Sequence, residues 1–277
     1  MIPRFIFQLT KLQLLYLSSN NFSGVVELGL FQNLKKLFYL DLSDNNLSVQ
    51  DGSGNSTFVS IPQIEYLLLR SCNISTFPNF LRNQEQLGQL DLSDNKISGE
   101  IPKWIWEVGN VSLNYLNLSH NGLQGIEPSP HVLLSALQYL DLSSNKLEGS
   151  LPIPPPSIIF FSASNNSLGG EIPRSVCNAA SLTILDLSHN HFIGRIPSCL
   201  GEIGGTLSVL NLQGNAFNGT LLQTFKEECN IQTLDLSENQ LEGQVPRSLA
   251  NCKMLELLNL GNNQIHDTFP LWLGALS

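Results

Sequence analysis

Five aspartates recur at one position along the chain: Asp41, Asp91, Asp141, Asp186 and Asp235, each followed two residues later by serine. Paired carboxylates can run acid–base chemistry, but only where their surroundings push their pKa values apart. Nothing in the sequence isolates two of these five from water, so they read as a scattered column and not as a catalytic pair. Histidine offers a second chemistry. His189 and His191 flank Asn190, and His120 stands where His189 does in an earlier segment. Zinc needs three or four ligands within coordination distance. Equivalent positions three strands apart lie about 14 Å from each other, and no cysteine or carboxylate converges on the histidines, so no metal is expected. No nucleophile elbow, H-E-x-x-H helix, phosphate loop or kinase set occurs. The GEIGG run from Gly201 follows no strand and is explained by turn chemistry. The chain is expected to be non-catalytic and to need no cofactor.

What remains is binding. A second column, Tyr39, Tyr66, Tyr115, Tyr139 and Phe160, runs beside the aspartates. Rings supply contact area and carboxylates supply sign, a combination that suits a basic or amphipathic peptide. The plainer reading is that the aspartates only keep the face soluble, since exposed charges contribute little. Arg70 is the one basic residue in its outward column. A paired-arginine clamp for a carboxylate is absent, and Glu65 in the same segment is the partner the sequence suggests for Arg70. The formal net charge of −9 argues against nucleic acid. No apolar stretch reaches the roughly 18 residues that cross a bilayer. The N-terminal MIPRFIFQL runs in register into the leucine pattern that begins at Leu12 and reads as structure, not as a signal peptide.

The elements that position these columns come from a repeat. L-x-x-L-x-L-x-x-N-x-L-x-G recurs eleven times, with anchors Asn20, Asn45, Cys72, Asn95, Asn121, Asn145, Asn166, Asn190, Asn215, Asn239 and Asn263. Neighbouring anchors are between 21 residues (Asn145 to Asn166) and 27 residues (Asn45 to Cys72) apart. Alternating leucines face inward along a short strand while the residues between them face out. Each anchor amide, buried where the chain leaves its strand, serves backbone groups that would cost about 1–3 kcal/mol each if left bare. Cys72 replaces asparagine once.

A second motif comes after the turn: ISGEIP at Ile97, LEGSLP at Leu147, LGGEIP at Leu168, FIGRIP at Phe192 and LEGQVP at Leu241. Glycine permits the tight backbone, and proline ends pairing and can open a short helix. Periods of this length define leucine-rich repeats. The expected fold is an α/β solenoid: a right-handed leucine-rich-repeat superhelix with a concave parallel sheet of about 11 short strands. Its convex side carries 3₁₀ or short helices, and residues 1–277 form a single array, uncapped at both ends. Two irregularities are expected, a surface loop over residues 48–60 and an extended proline-rich piece over 151–157. Uncapped ends expose apolar faces, so fraying or aggregation is expected of the isolated chain.

The I-P form of the repeat resembles the plant-specific class. Three stretches, LRSCNISTFPNFLRNQEQLGQLDLSDNKISGEIPKWIW, GGEIPRSVCNAASLTILDLSHN and LANCKMLELLNLGNNQIHDTFPLWLGAL, resemble the receptor-like proteins of plant disease resistance. That resemblance implies a secreted, membrane-anchored parent with a short tail, whose ectodomain senses pathogen-derived or developmental ligands. Signalling would pass through a partner receptor kinase, and this chain would sit on the extracellular face of the plasma membrane. It implies protein, peptide or glycan ligands; the candidate contacts, read from the outward columns and the turn positions themselves, are Tyr39, Asp41, Tyr66, Arg70, Asp91, Tyr115, His120, Tyr139, Asp141, Phe160, Asp186, His189 and Asp235. Alternatives are the ectodomain of a receptor kinase, a secreted inhibitor of fungal pectin-degrading enzymes, or a truncated, non-functional gene product. Along a secretory route the sequons at Asn21, Asn46, Asn55, Asn73, Asn110, Asn117, Asn165 and Asn218 become acceptors, with Asn55 and Asn110 best placed. Cys177 with Cys199, and Cys229 with Cys252, lie one repeat apart on adjacent convex segments. In the oxidising compartment that the resemblance implies, either pair can bridge; the alternative is buried free thiols.

Overall fold

The computed structural model describes residues 2–51, 61–109, 111–127, 135–203, 205–268, 270, 271 and 274. The chain divides into two compact units, residues 1–146 and 147–277. Both are built from the same coil. Eleven three-residue parallel strands head the coils, each centred on a leucine or phenylalanine between two outward residues. The first unit holds six: Leu14–Tyr16, Tyr39–Asp41, Tyr66–Leu68, Gln89–Asp91, Tyr115–Asn117 and Tyr139–Asp141. The second holds five: Phe160–Ser162, Ile184–Asp186, Val209–Asn211, Thr233–Asp235 and Leu257–Asn259. The coils are numbered 1 to 11 in this order. Pairing keeps strict register, so Tyr39 stands opposite Tyr66, Tyr66 opposite Gln89, and Gln89 opposite Tyr115. Leu40, Leu67, Leu90, Leu116 and Leu140 are thereby buried in one row, with Leu42, Leu69, Leu92, Leu118 and Leu142 in a second. Each buried leucine contributes about 1.5–3 kcal/mol relative to exposure.

The anchor asparagines hold the coils at their turns. Asn95 accepts from the backbone N–H groups of Cys72 (3.0 Å) and Ile74 (2.9 Å) in the preceding coil. Its amide donates to the carbonyls of Leu69, Leu92 and Ser93 at 2.8–3.0 Å. Asn190, buried, accepts from Leu168 N–H and donates to Ala163, Leu187 and Ser188. Asn20 stands in the first coil and donates only to its own Leu17 and Ser18 carbonyls. Cys72 keeps part of the pattern: its thiol lies 3.6 Å from the Leu42 carbonyl and 3.5 Å from that of Arg70. A thiol offers no amide oxygen, so this rung has no counterpart to the acceptor that Asn95 supplies. The residue before each anchor takes the left-handed backbone form, with φ between 52° and 55° at Ser19, Asp44, Ser71, Asp94, His120, Ser144, Asn165, His189, Glu238 and Asn262. In coil 9 that place belongs to Gly214, φ 66°.

After the turn the two units differ. In the first, lateral strands among the described residues pair two by two, Ser23–Glu27 with Asn46–Gln50 and Ser98–Ile101 with Gly122–Ile126. In the second, Glu148–Ser150, Ser167–Gly170, His191–Gly194, Ala216–Thr220, Gln240–Gly243 and Gln264–Ile265 form one six-stranded sheet. Six segments on the far side are 3₁₀ helices of five or six residues among the described residues, such as Lys103–Glu107 and Arg247–Asn251. Each of these two is entered through a proline whose carbonyl accepts the first bond, as Pro102 does from Ile105 N–H at 3.0 Å. Only Cys199–Glu202 is α-helical among the described residues. The expected loop over 48–60 is corrected in part: residues 48–50 belong to a strand, because the sheet register carries the polar Ser48 and Gln50 outward, while 52–60 lie outside the described residues. Residues 151–157 carry no helix.

Candidate ligand-binding face

The outward side chains of the main strands make the candidate face, and the two units present different versions of it. In the first unit, Tyr39 and Tyr66 stack with ring centroids 5.2 Å apart, and Tyr115 stacks on Tyr139 at 4.3 Å. These distances are one strand spacing, so the sheet register itself creates the stacks. Tyr16 joins the first stack, its ring 4.3 Å from that of Tyr39. The sequence pattern did not place it there, because Tyr16 occupies the aspartate position opposite Asp41, and its ring reaches diagonally to Tyr39. Gln89 interrupts the column and separates a patch of three tyrosines from a patch of two. Phe160 lies half-buried in the second unit, opposite Ile184.

The phenols of Tyr39, Tyr66, Tyr115 and Tyr139 are all pushed above the ordinary tyrosine value. Burial, then Asp41, raises the pKa of Tyr39. For Tyr66 the first cause is a hydrogen bond to Glu65. Burial raises Tyr115 and, still further, Tyr139, with Asp91 and Asp141 adding to it. The hydroxyls of Tyr115 and Tyr139 also bond to each other.

The aspartate column has a structural task. Asp41, Asp91, Asp141, Asp186 and Asp235 each accept from the backbone N–H of the serine two residues on, at 2.8–3.0 Å. At Asp91, Asp186 and Asp235 the serine hydroxyl donates to the same oxygen, at 2.6–2.7 Å. L-D-L-S is therefore a clamp on the strand exit. Asp41, expected on the ligand side, is buried at 8% exposure, so its place in the ligand set is corrected. Burial raises the pKa of Asp91, opposed by the Ser93 bonds and the charge of Arg70.

Coil 3 breaks the scaffold three times. Leu68 stands where Asp41 and Asp91 stand, Arg70 where Ser43 and Ser93 stand, and Cys72 where Asn45 and Asn95 stand. Arg70 does not pair with Glu65 as the sequence suggested. Its Nε lies 2.9 Å from Asp94 and 3.6 Å from Asp44, because both aspartates project from the same turn position in the flanking coils. Glu65 is instead engaged by Tyr66. His120 and His189 are exposed at left-handed positions, each in a different unit. No group of three metal-ligating side chains occurs among the described residues.

Among the sequons, Asn21, Asn46, Asn73, Asn165 and Asn218 are exposed. Asn46 donates to Asn21 at 2.6 Å, and Asn73 donates to Ser48 at 3.2 Å. Asn117 is half-buried, its oxygen taking bonds from Ser119 N–H and hydroxyl. Asn55 and Asn110 lie outside the described residues. In the second unit, sulfur–sulfur bonds join Cys177 to Cys199 and Cys229 to Cys252, with Cα separations of 6.0 and 4.5 Å.

A family model described as Leucine rich repeat matches residues 1–47, 103–147 and 205–265. The chain belongs to the leucine-rich-repeat family. This leucine-rich-repeat chain is 39% identical to receptor-like protein 35 of Arabidopsis thaliana over 271 residues, which is 97% of the chain and 26% of that relative. It thus spans about a quarter of the relative's length. Among solved structures it resembles the crystal structure of PEPR1-AtPEP1, with a TM-score of 0.85 and 34% identity, covering 99% of the chain and 38% of that one. It also resembles the ectodomain of the Arabidopsis receptor kinase HAESA in complex with an N-terminally extended IDA peptide hormone ligand. There the TM-score is 0.80 and the identity 33%, covering 97% of this chain and 44% of that one. No helix among the described residues is long and apolar enough to cross a membrane.

Proposed function

We propose that this chain is a non-catalytic recognition segment of a plant receptor-like protein, working outside the cell and binding a peptide on the open sheet face of its first unit. One observation carries the reading. Coil 3 gives up three scaffold residues together, in favour of Leu68, Arg70 and Cys72, beside an outward stack of tyrosines. Repeats depart from their own structural consistency chiefly where function requires it. Stacked, partly exposed aromatics are the surface chemistry from which binding energy is concentrated. The HAESA ectodomain, similar in fold and sequence, is solved with a peptide hormone. By analogy with such receptors, a partner kinase would carry the signal onward.

The test is selection of a random peptide library on the immobilised chain, with binders then rescreened on Tyr66→Ala. Selected peptides should lose most of their affinity for the variant. Binders that hold Tyr66→Ala as tightly as the parent would place recognition elsewhere, on the lateral strands or in the second unit.

A further inference from the structure

The lateral side of coil 3 has a break of its own. In coils 2 and 4 the residues after the anchor form the lateral strands Asn46–Gln50 and Ser98–Ile101, whereas residues 73–78 form none. The chain turns off at Asn73, φ 54°, the one residue directly after an anchor that takes the left-handed form among the described residues. Backbone bonds tie coil 3 to its neighbours on both sides of that residue. Val49 N–H donates to the Cys72 carbonyl at 2.9 Å, and Lys96 N–H to the Ile74 carbonyl at 2.8 Å. Here the described residues wall a cavity of about 450 Å³. Its floor is apolar and buried, with Leu28, Val49 and Ile74, and its rim is polar and exposed, with Gln50, Thr76 and Lys96. Small-ligand sites have this character, an apolar space of about 300–1,000 Å³ edged by a few polar groups.

Asn73 stands in the wall of this cavity and heads the run Asn73-Ile74-Ser75, an acceptor sequence for N-linked glycan. Its exposed side chain donates through Nδ2 to the Ser48 hydroxyl, which lines the same cavity, at 3.2 Å. The amide nitrogen carries two hydrogens. Glycosylation takes one and leaves the other, so the bond to Ser48 survives and holds the first sugar at the cavity wall. A sugar ring offers an apolar face to the floor, and hydroxyl and acetamide groups to Gln50, Thr76 and Lys96. An attached sugar also reaches the cavity at an effective concentration on the order of millimolar, which no dilute free ligand matches. Other acceptors lack this setting. Asn46, on a paired lateral strand, gives its amide to Asn21, and the Asn117 oxygen is taken by Ser119; neither asparagine lines the cavity.

We infer that Asn73 carries an N-linked glycan whose first sugars occupy this cavity and take the place of the missing lateral strand. The assignment rests on the proposed extracellular location and adds a modification to it. The reaction joins Asn73 Nδ2 to the anomeric carbon of an oligosaccharide carried on a polyisoprenyl pyrophosphate. The carbon–oxygen bond to phosphate breaks, the pyrophosphate leaves with the electron pair, and the amide gives up one proton. The test expresses the full chain behind a secretion leader in plant cells, maps its glycopeptides and follows hydrogen exchange over residues 73–78. Ser75→Ala removes the acceptor sequence and keeps Asn73 with its bond to Ser48, Ser75→Thr restores the acceptor, and Asn46→Gln removes a neighbouring one. Asn73 should be occupied. Exchange over residues 73–78 should quicken about tenfold in Ser75→Ala, through easier local opening, and keep the parental rate in the other two variants. Parent protein stripped of glycan by an amidase should exchange like Ser75→Ala, which separates loss of the sugar from loss of the hydroxyl. A bare Asn73 beside any occupied acceptor would overturn the assignment and spare the extracellular reading. An occupied Asn73 whose glycan can be removed without change in exchange would overturn the seating in the cavity. Protein with all eight acceptors bare would take down both the assignment and the extracellular reading.

Discussion

The two units share one coil and use it differently. The second is reinforced: its six lateral strands form one sheet, two disulfides tie consecutive far-side segments, and each of its anchors is asparagine. The first, among its described residues, has lateral strands in pairs, no disulfide, and a thiol at one anchor. Yet the first carries every tyrosine of the chain, and the ion pairs of Arg70. A repeat array can localise its irregular, adhesive coils because each coil needs only its neighbours. Departures in coil 3 therefore do not spread into the reinforced half.

The contrast can be broken most forcefully by reduction. Opening the two bridges, which close loops of 22 and 23 residues, should cost about 3 kcal/mol each by loop-closure entropy. Hydrogen exchange should then quicken in residues 147–277 and stay unchanged in 1–146; equal loss in both units would dissolve the distinction. Next in size, Asn190→Ala strips three carbonyls and one N–H of their partner and should lower stability by about 3 kcal/mol. Asn20→Ala, at an exposed rung with two bonds to its own coil, should cost under about 1 kcal/mol. Urea unfolding of the pair tests this, and similar midpoints would contradict it.

A smaller effect, of opposite sign, is expected at the weak rung. Cys72→Asn should stabilise the first unit by about 1 kcal/mol by restoring an acceptor. Burial pushes the Cys72 thiol up to about 12, above its ordinary value of 9.0. The unfolded thiol ionises first, so this stabilisation is full below about pH 9 and is lost as pH rises toward 12. Cys72→Asn should flatten that alkaline decline in thermal melts, and an unaltered decline would assign it to the tyrosines. Smallest of all, Arg70→Ala should shift stability by no more than about 0.5 kcal/mol, since the Arg70 side chain is 52% exposed and its pairs are screened. A larger loss would make Arg70 part of the scaffold.

Much of this was legible in the sequence because period and burial are one pattern. Inward leucines, the anchor ladder, the strand positions and the tyrosine column all come from counting residues. What counting misses is lateral. Arg70 was matched to Glu65 because they share a segment, whereas its partners Asp44 and Asp94 sit one coil to either side. The aspartates looked like a charged face because their bonds to the serines two residues on depend on a turn that only coordinates reveal. Tyr16 escaped because it occupies the wrong column and crosses to the right one through the length of its ring. In each case the missing information was direction across the sheet, which a one-dimensional period does not carry.

The left-handed residue before each anchor gives the array room for adaptation. Ten such positions hold a side chain where the backbone disfavours one, at roughly 1 kcal/mol apiece for those that are neither Asn nor Asp. Coil 9 has already relieved the strain with Gly214, where His189 now leans so close that a new Cβ would stand 2.6 Å from its ring. The remaining coils form a distributed reserve on the rim of the array. A lineage or a designer could stiffen it one coil at a time and leave the tyrosines, and hence the choice of ligand, free to drift independently.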